Sequence, residues 1–187
     1  TGSYRGRRVV CARTGVGKVM SAVTTTRVVE RCRPEAILYL GIAGALDRDF
    51  AIGDLVVAKE CVQHDLDARM FGFARGEVPY EGIRWLPADP VLLARASSYT
   101  PPAGRLHCGR IATGDQFCDA ETRKARPYLV DELGASAVEM EGAAAALAAR
   151  SGGVPFLHAR IISDRADGTA PDDFNSFLPA AASKIED

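Results

Sequence analysis

The sequence predicts one α/β domain over residues 1–187, built as a mixed, mostly parallel twisted sheet flanked by helices. Two observations carry this reading. Segments of helical period alternate with short, unbroken apolar runs, and a run without polar alternation belongs to a strand covered on both faces. No repeat, linker or low-complexity stretch divides the chain, and its 187 residues suit a single core.

The elements follow in order. Arg8–Ala12 is a short β-branched run, read as one strand of a hairpin at the start. Val16, Val19, Met20 and Val23 follow helical spacing, and that helix should stop near Cys32, ahead of Pro34. Ala36–Leu40 is an apolar run ended by Gly41, and Leu55–Val62 is a second, introduced by Gly53-Asp54. Asp89-Pro90 opens a helix running to about Ser98, with Asp as the cap and Pro at the first helical position. Leu106–Ala112 is a strand, and Ala120–Leu133 is amphipathic but interrupted at Pro127. A short strand near Ala137–Glu139 leads into the alanine-rich helix Glu141–Arg150, which Gly152-Gly153 ends. Pro155–Ile162 is another buried strand, and Asp172 or Asp173 caps a final helix.

Composition excludes several classes. A net charge of −1, with no block of like charge, gives no reason to expect nucleic acid or an anionic membrane as partner. No apolar run approaches the ~20 residues that span a bilayer, and the start has no signal-peptide pattern. The five cysteines are odd in number and widely spaced, without a Cys-x-x-Cys pair. They read as reduced residues of a cytoplasmic protein, mostly small core residues, rather than a disulfide framework or zinc site.

Two motifs fail on inspection. Gly15-Val16-Gly17-Lys18 invites a phosphate-loop reading, but that pattern needs a glycine at Ala12 and a Ser or Thr at Val19. A glycine-containing turn into a helix remains. Gln63-His64-Asp65-Leu66-Asp67 suggests metal ligands, yet neighbours on an extended segment point to opposite faces. It reads as a polar strand end, and no metal or cofactor is expected. His107 and His158 sit inside apolar strands, as core or hydrogen-bonded histidines.

Three segments place polar residues at the ends of buried strands, where open α/β sheets bind ligands. They are Ala112-Thr113-Gly114-Asp115-Gln116-Phe117-Cys118, Val138-Glu139-Met140-Glu141-Gly142 and Arg160-Ile161-Ile162-Ser163-Asp164. Each has a plain reading as a turn, a charged helix start or a capped strand end, but three such ends should converge on one edge of the sheet.

These segments, in order with Gly15-Val16-Gly17-Lys18, Gly41-Ile42-Ala43-Gly44, Gly53-Asp54-Leu55-Val56-Val57 and His64-Asp65-Leu66-Asp67, resemble the methylthioadenosine/S-adenosylhomocysteine nucleosidases of the nucleoside phosphorylase superfamily. The resemblance runs from about Tyr4 to Ser183. Glu139-Met140-Glu141 followed by Ser163-Asp164 is its specific part.

The resemblance implies cleavage of the N-glycosidic bond of a 5′-modified adenosine, giving adenine and a free pentose. Asp164 resembles the family's general acid, placed to protonate the leaving purine, with Ser163 orienting its carboxyl group. Glu141 is similar to the acid that holds the ribose 2′ and 3′ hydroxyls and steadies the cationic sugar. Met140 would lie against the ribose, Phe117 would stack on the purine, and the Cys118 backbone would bond its edge. Ile42, Ala43 and Gly44 would line the ribose end, and Glu139 is counted with the substrate contacts, with Arg160 as its structural partner. The family's dimers complete each site from the neighbouring subunit, and Phe71 and Pro79 match the loop that does so. A homodimer is expected.

Two departures accompany the match. The family carries Ser or Thr where this chain has Ile42. Its water-activating glutamate lies after a first strand upstream of Thr1, so about 30–45 further residues are expected there. Phosphorylases of the superfamily carry an arginine at the position of Tyr39, which favours water over phosphate as nucleophile here. A phosphate-dependent phosphorylase and a non-catalytic nucleoside-binding or storage protein are the alternatives.

Overall fold

The structure, a computed structural model, describes residues 1–166, so the helix expected after Asp172 or Asp173 lies outside the described residues. The chain opens with a hairpin of β1 (Gly2–Tyr4) and β2 (Arg7–Val9), paired antiparallel. Its turn sets Arg5 and Gly6 at φ 48° and 78°, the geometry whose twist matches that of the strands it joins. The second strand ends earlier than the β-branched run suggested.

Helix α1 (Lys18–Cys32) starts after Gly17 and closes at Arg33, which takes a left-handed φ just before Pro34. The expected helix is present, but its apolar stripe does not mark its buried face. Ser21 and Thr25, one turn apart, are buried, whereas Val16, Val19 and Met20 are exposed. Small polar side chains let α1 lie close to α5 (Gly142–Ser151), where an added Cβ on Gly152 would stand 2.4 Å from Val29.

Strand β3 (Ile37–Ala45) runs through Gly41 rather than ending there, so the glycine segment is strand, not turn. It is joined by β4 (Leu55–Gln63), β5 (Leu86–Pro87), β6 (Leu106–Thr113), β7 (Ala137–Glu139) and β8 (Phe156–Asp164). The order is β5-β4-β6-β7-β3-β8, and β8 also pairs with β4, so five strands close on one another with β5 outside. The long ladders β3–β8, β4–β6 and the short β6–β7 are parallel, while β3–β7, β4–β5 and β4–β8 are antiparallel. The sheet is therefore mixed, as expected. Helix α2 (Pro90–Ser97) is capped by Asp89, and Pro127 splits the amphipathic segment into α3 (Ala120–Ala125) and α4 (Tyr128–Asp131).

The alanines of α5 explain the closeness of its packing. Ala143, Ala145, Ala146 and Ala149 are buried in the core with Val56, Ile111, Phe156 and Ile162. At the helix start Gly142 lies against the His158 ring, where a Cβ would stand 2.1 Å from the imidazole. Asp54 ties the start of β4 to the start of β6. It accepts hydrogen bonds from the Ala51 and Arg105 amides and from His107, whose ring stacks on Phe50.

Candidate functional site

Register brings the three polar strand ends together. Thr113 pairs with Glu139 across β6–β7, Val138 pairs with Gly44 across β7–β3, and Gly44 pairs with Asp164 across β3–β8. Between Ile162 and Asp164 the ladder with β3 skips Ser163, leaving it as the extra residue of a β-bulge. A bulge re-aims the side chains that follow it. In a regular strand Ser163 and Asp164 would point to opposite faces, yet Ser163 Oγ donates to Asp164 Oδ2 at 2.8 Å. The Ala166 amide donates to the other carboxylate oxygen at 2.9 Å, and the Asp164 side chain is buried.

The glycines of β3 exist for the side chains of β8. A Cβ on Gly44 would stand 2.9 Å from Asp164 Oδ1, and one on Gly41 only 1.8 Å from Arg160 Nη1. Ala43 is buried and offers its carbonyl to Ser163 at 3.3 Å; Ile42 is half-buried opposite Ile161.

Glu139 is the most heavily bonded carboxylate here. It accepts from Thr113 Oγ1, from Arg160 Nη2 and from the Glu141 and Gly142 amides, the last two at 2.8–3.0 Å. Four donors fill the acceptor positions of one carboxylate. Burial alone would raise its pKa, but Arg160, His158 and these hydrogen bonds outweigh burial and hold it below the ordinary value. These bonds engage both of its oxygens and make Glu139 a buried anchor for the start of α5. The helix start aims two backbone N–H groups at it, where the helix dipole favours negative charge.

Glu141 is different. Half-buried at the start of α5, it accepts from the Gly17 amide through Oε1 at 2.8 Å and has Oε2 3.6 Å from Arg160 Nη2. Burial raises its pKa, with Glu139 adding to that, against the lowering effect of the Gly17 amide and Arg160. Acceptor capacity remains on both oxygens. Arg160 itself lies with its guanidinium 5.0 Å from the centre of the Tyr39 ring, and the Tyr39 hydroxyl is engaged by Ser21 Oγ at 2.9 Å and Thr14 Oγ1 at 3.0 Å.

The other expected site residues fall into two groups. Met140 lies between the two glutamates, half-buried, and Phe117 and Cys118 occupy the loop from β6 to α3, with Phe117 47% exposed and Cys118 buried. Burial pushes the Cys118 thiol up to about 11, so its sulfur is a neutral thiol at pH 7. Phe71 and Pro79 stand apart on the loop between β4 and β5, where Phe71 is 72% exposed at the end of a single 3₁₀ turn. Of the five cysteines only Cys61 and Cys118 are buried and Cys11 is exposed, so the expectation that most are core residues does not hold. Among the described residues no group of three or more His, Cys, Asp and Glu could hold a metal, and no helix is long and apolar enough to cross a membrane.

The buried histidines give a pH-dependent stability. Burial, reinforced by Arg160, lowers His158 to about 3, and burial lowers His64 to about 4. Above the unfolded value near 6.5 both states are neutral and nothing changes. As pH falls below it, the unfolded chain takes up protons that the folded one refuses, so stability is lost down to the folded values. Each histidine contributes about 1.4 kcal/mol per pH unit across that window. Urea unfolding is expected to show stability falling from pH 6.5 to 5, with a shallower fall in His158→Gln; an unchanged stability across that range would contradict the assignment.

Comparisons with known proteins show the family and the fold. The family model described as the phosphorylase superfamily matches residues 1–187. The chain is 36% identical to the 5′-methylthioadenosine/S-adenosylhomocysteine nucleosidase of Shewanella pealeana, over 96% of this chain and 78% of that one. It is 38% identical to the aminodeoxyfutalosine nucleosidase of Helicobacter pylori, over 97% of this chain and 78% of that one. The crystal structure of the Helicobacter pylori 5′-methylthioadenosine/S-adenosylhomocysteine nucleosidase superposes with a TM-score of 0.89 at 35% identity, covering 98% of this chain and 78% of that one.

Proposed function

This chain belongs to the phosphorylase superfamily, among its 5′-methylthioadenosine/S-adenosylhomocysteine nucleosidases, and on that premise we propose that it hydrolyses the N-glycosidic bond of a 5′-modified adenosine to adenine and a free pentose. The observation that carries the reading is a pair of carboxyl groups in unlike settings at one strand-end cluster. Asp164 is buried beside a hydroxyl, and Glu141 keeps acceptor capacity next to a cation. Breaking such a bond builds positive charge on the sugar and needs a proton on the leaving base.

In this reading Asp164 delivers the proton to the purine, and Ser163 fixes the carboxyl group that carries it. Glu141 accepts the 2′ and 3′ hydroxyls, and its negative charge stabilises the cationic sugar. Met140 packs against the ribose, Phe117 stacks on the base, and the Cys118 backbone bonds the base edge. Ala43, Gly44 and Ile42 line the sugar end. Phe71, exposed on its loop, and the half-buried Pro79 reach the 5′-substituent in a second copy of the chain, so the working unit is a homodimer. A cytoplasmic setting suits its free cysteines.

Water rather than phosphate is the nucleophile, because Tyr39 puts a phenol, already bonded to Ser21 and Thr14, where phosphate would want a cation. A storage protein would have no need of an acid beside the leaving group. The test is adenine release from a panel of 5′-modified adenosines with and without phosphate, on material whose mass is followed by light scattering. Release that does not depend on phosphate, from a dimer, is expected. A requirement for phosphate, with pentose 1-phosphate as product, would overturn the hydrolytic reading.

A further inference from the structure

The glycine turn before α1 and the polar segment after β4 have no part in the chemistry proposed above, yet the fold ties them to each other. Lys18 Nζ donates to Asp65 Oδ1 at 2.7 Å and lies 3.9 Å from Asp115 Oδ2. The second oxygen of Asp65 accepts from the Asp115 amide at 2.8 Å, and Asp115 Oδ1 accepts from the Lys18 amide at 2.7 Å. Three residues from the start of α1, the end of β4 and the end of β6 thus close a ring of interactions.

The neighbour of this ring is what gives it consequence. Gly17, immediately before Lys18, donates its amide to Glu141 Oε1 at 2.8 Å. It does so at φ +88°, a conformation open to glycine, and a Cβ there would stand 3.1 Å from Asp115 Oδ1. Helix α1 has no side-chain cap of its own at Gly17. Carboxylates from distant segments meet its first amides instead, where the helix dipole favours negative charge. The Lys18 and Asp65 side chains are 18% and 27% exposed and that of Asp115 is 50% exposed. Ion pairs this wet stabilise a fold little. Their effect falls on where the start of α1 sits.

We propose that Lys18, Asp65 and Asp115 form a positioning latch that holds the Gly17 amide on Glu141, and so sets the carboxylate in the orientation that receives the sugar hydroxyls. The proposal rests on the role given to Glu141 above. Lys18 touches no reacting atom; it acts through Gly17. Its loss should therefore cost most with substrates that use Glu141 fully, and less with a substrate lacking one of the hydroxyls.

The experiment compares kcat/KM of the full-length protein on 5′-methylthioadenosine and on its 2′-deoxy analogue, for wild type, Lys18→Met, Lys18→Arg and Asp115→Asn, with Tm recorded for each. A hydrogen bond to a charged acceptor is worth roughly a ten- to hundred-fold preference, so wild type should favour the riboside by about that factor. Lys18→Met should lose about ten-fold on the riboside and less than about three-fold on the 2′-deoxy substrate, with Asp115→Asn shifting the same way and Lys18→Arg recovering most of the preference. Equal losses on both substrates, with the preference intact in every variant, would overturn the latch while leaving the nucleosidase reading standing. A wild type that cleaves neither substrate would remove that reading, and the latch with it.

Discussion

Replacing Asp164 by Asn is expected to lower adenine release by about 10²- to 10⁴-fold while moving Tm by no more than a few degrees. The size follows from losing a general acid at the bond that breaks. The small effect on stability follows from the bonds around the side chain. The amide oxygen of Asn can still accept from the Ala166 amide, which now donates to Asp164 Oδ1 at 2.9 Å. The new NH2 group would face Ser163 Oγ, whose hydroxyl is free to turn toward the Ala43 carbonyl, 3.3 Å away in the present structure. Shape and hydrogen bonding survive, and only the transferable proton is gone. Steady-state turnover and a thermal melt of the same preparation check this. Near-normal turnover would mean that another group protonates the base.

Glu139→Gln is expected to act in the opposite proportion, mainly on the fold. Four donors converge on that buried carboxylate, and one of them is the buried guanidinium of Arg160. Glutamine brings one acceptor and two further N–H groups into a place already crowded with donors, and it leaves Arg160 without its counter-charge. Breaking a buried pair this way costs about 3–5 kcal/mol. For a domain of this size that lowers Tm by roughly 10 °C. Activity should fall too, since Arg160 and the start of α5 both orient Glu141, but the melt is the sharper readout. A Tm within about 2 °C of wild type would show that the carboxylate is not the anchor described.

The contrast between these two acids was only half legible in the sequence. Asp164 and Glu141 stood out as polar residues at the ends of apolar runs, and the structure brings both strand ends to one cluster. Glu139 looked like its neighbour Glu141 because a sequence gives residue type but not how many donors surround it. In the sequence, Gly41 after the apolar run Ala36–Leu40 has the usual look of a buried strand's end. Here the strand continues, because Gly41 and Gly44 are needed for the room that Arg160 and Asp164 occupy. The bulge at Ser163 has no signature in residue type. The helical stripe of Val16, Val19 and Met20 correctly marked α1, but burial fell on Ser21 and Thr25, since close packing against the alanines of α5 favours small side chains. Lys18, Asp65 and Asp115 were each visible as parts of motifs. Their meeting depends on long-range register, which no local pattern encodes.

In the reaction we propose, water replaces the purine on the sugar with a proton from Asp164. The most direct test is the reaction of the full-length protein with 5′-methylthioadenosine in ¹⁸O-labelled water, with the sugar product read by mass spectrometry at the first turnovers. Free 5-methylthioribose carrying one ¹⁸O at the anomeric carbon and an equal amount of adenine are expected, with or without phosphate present. A pentose 1-phosphate formed only when phosphate is added, or no adenine at all, would contradict the proposal.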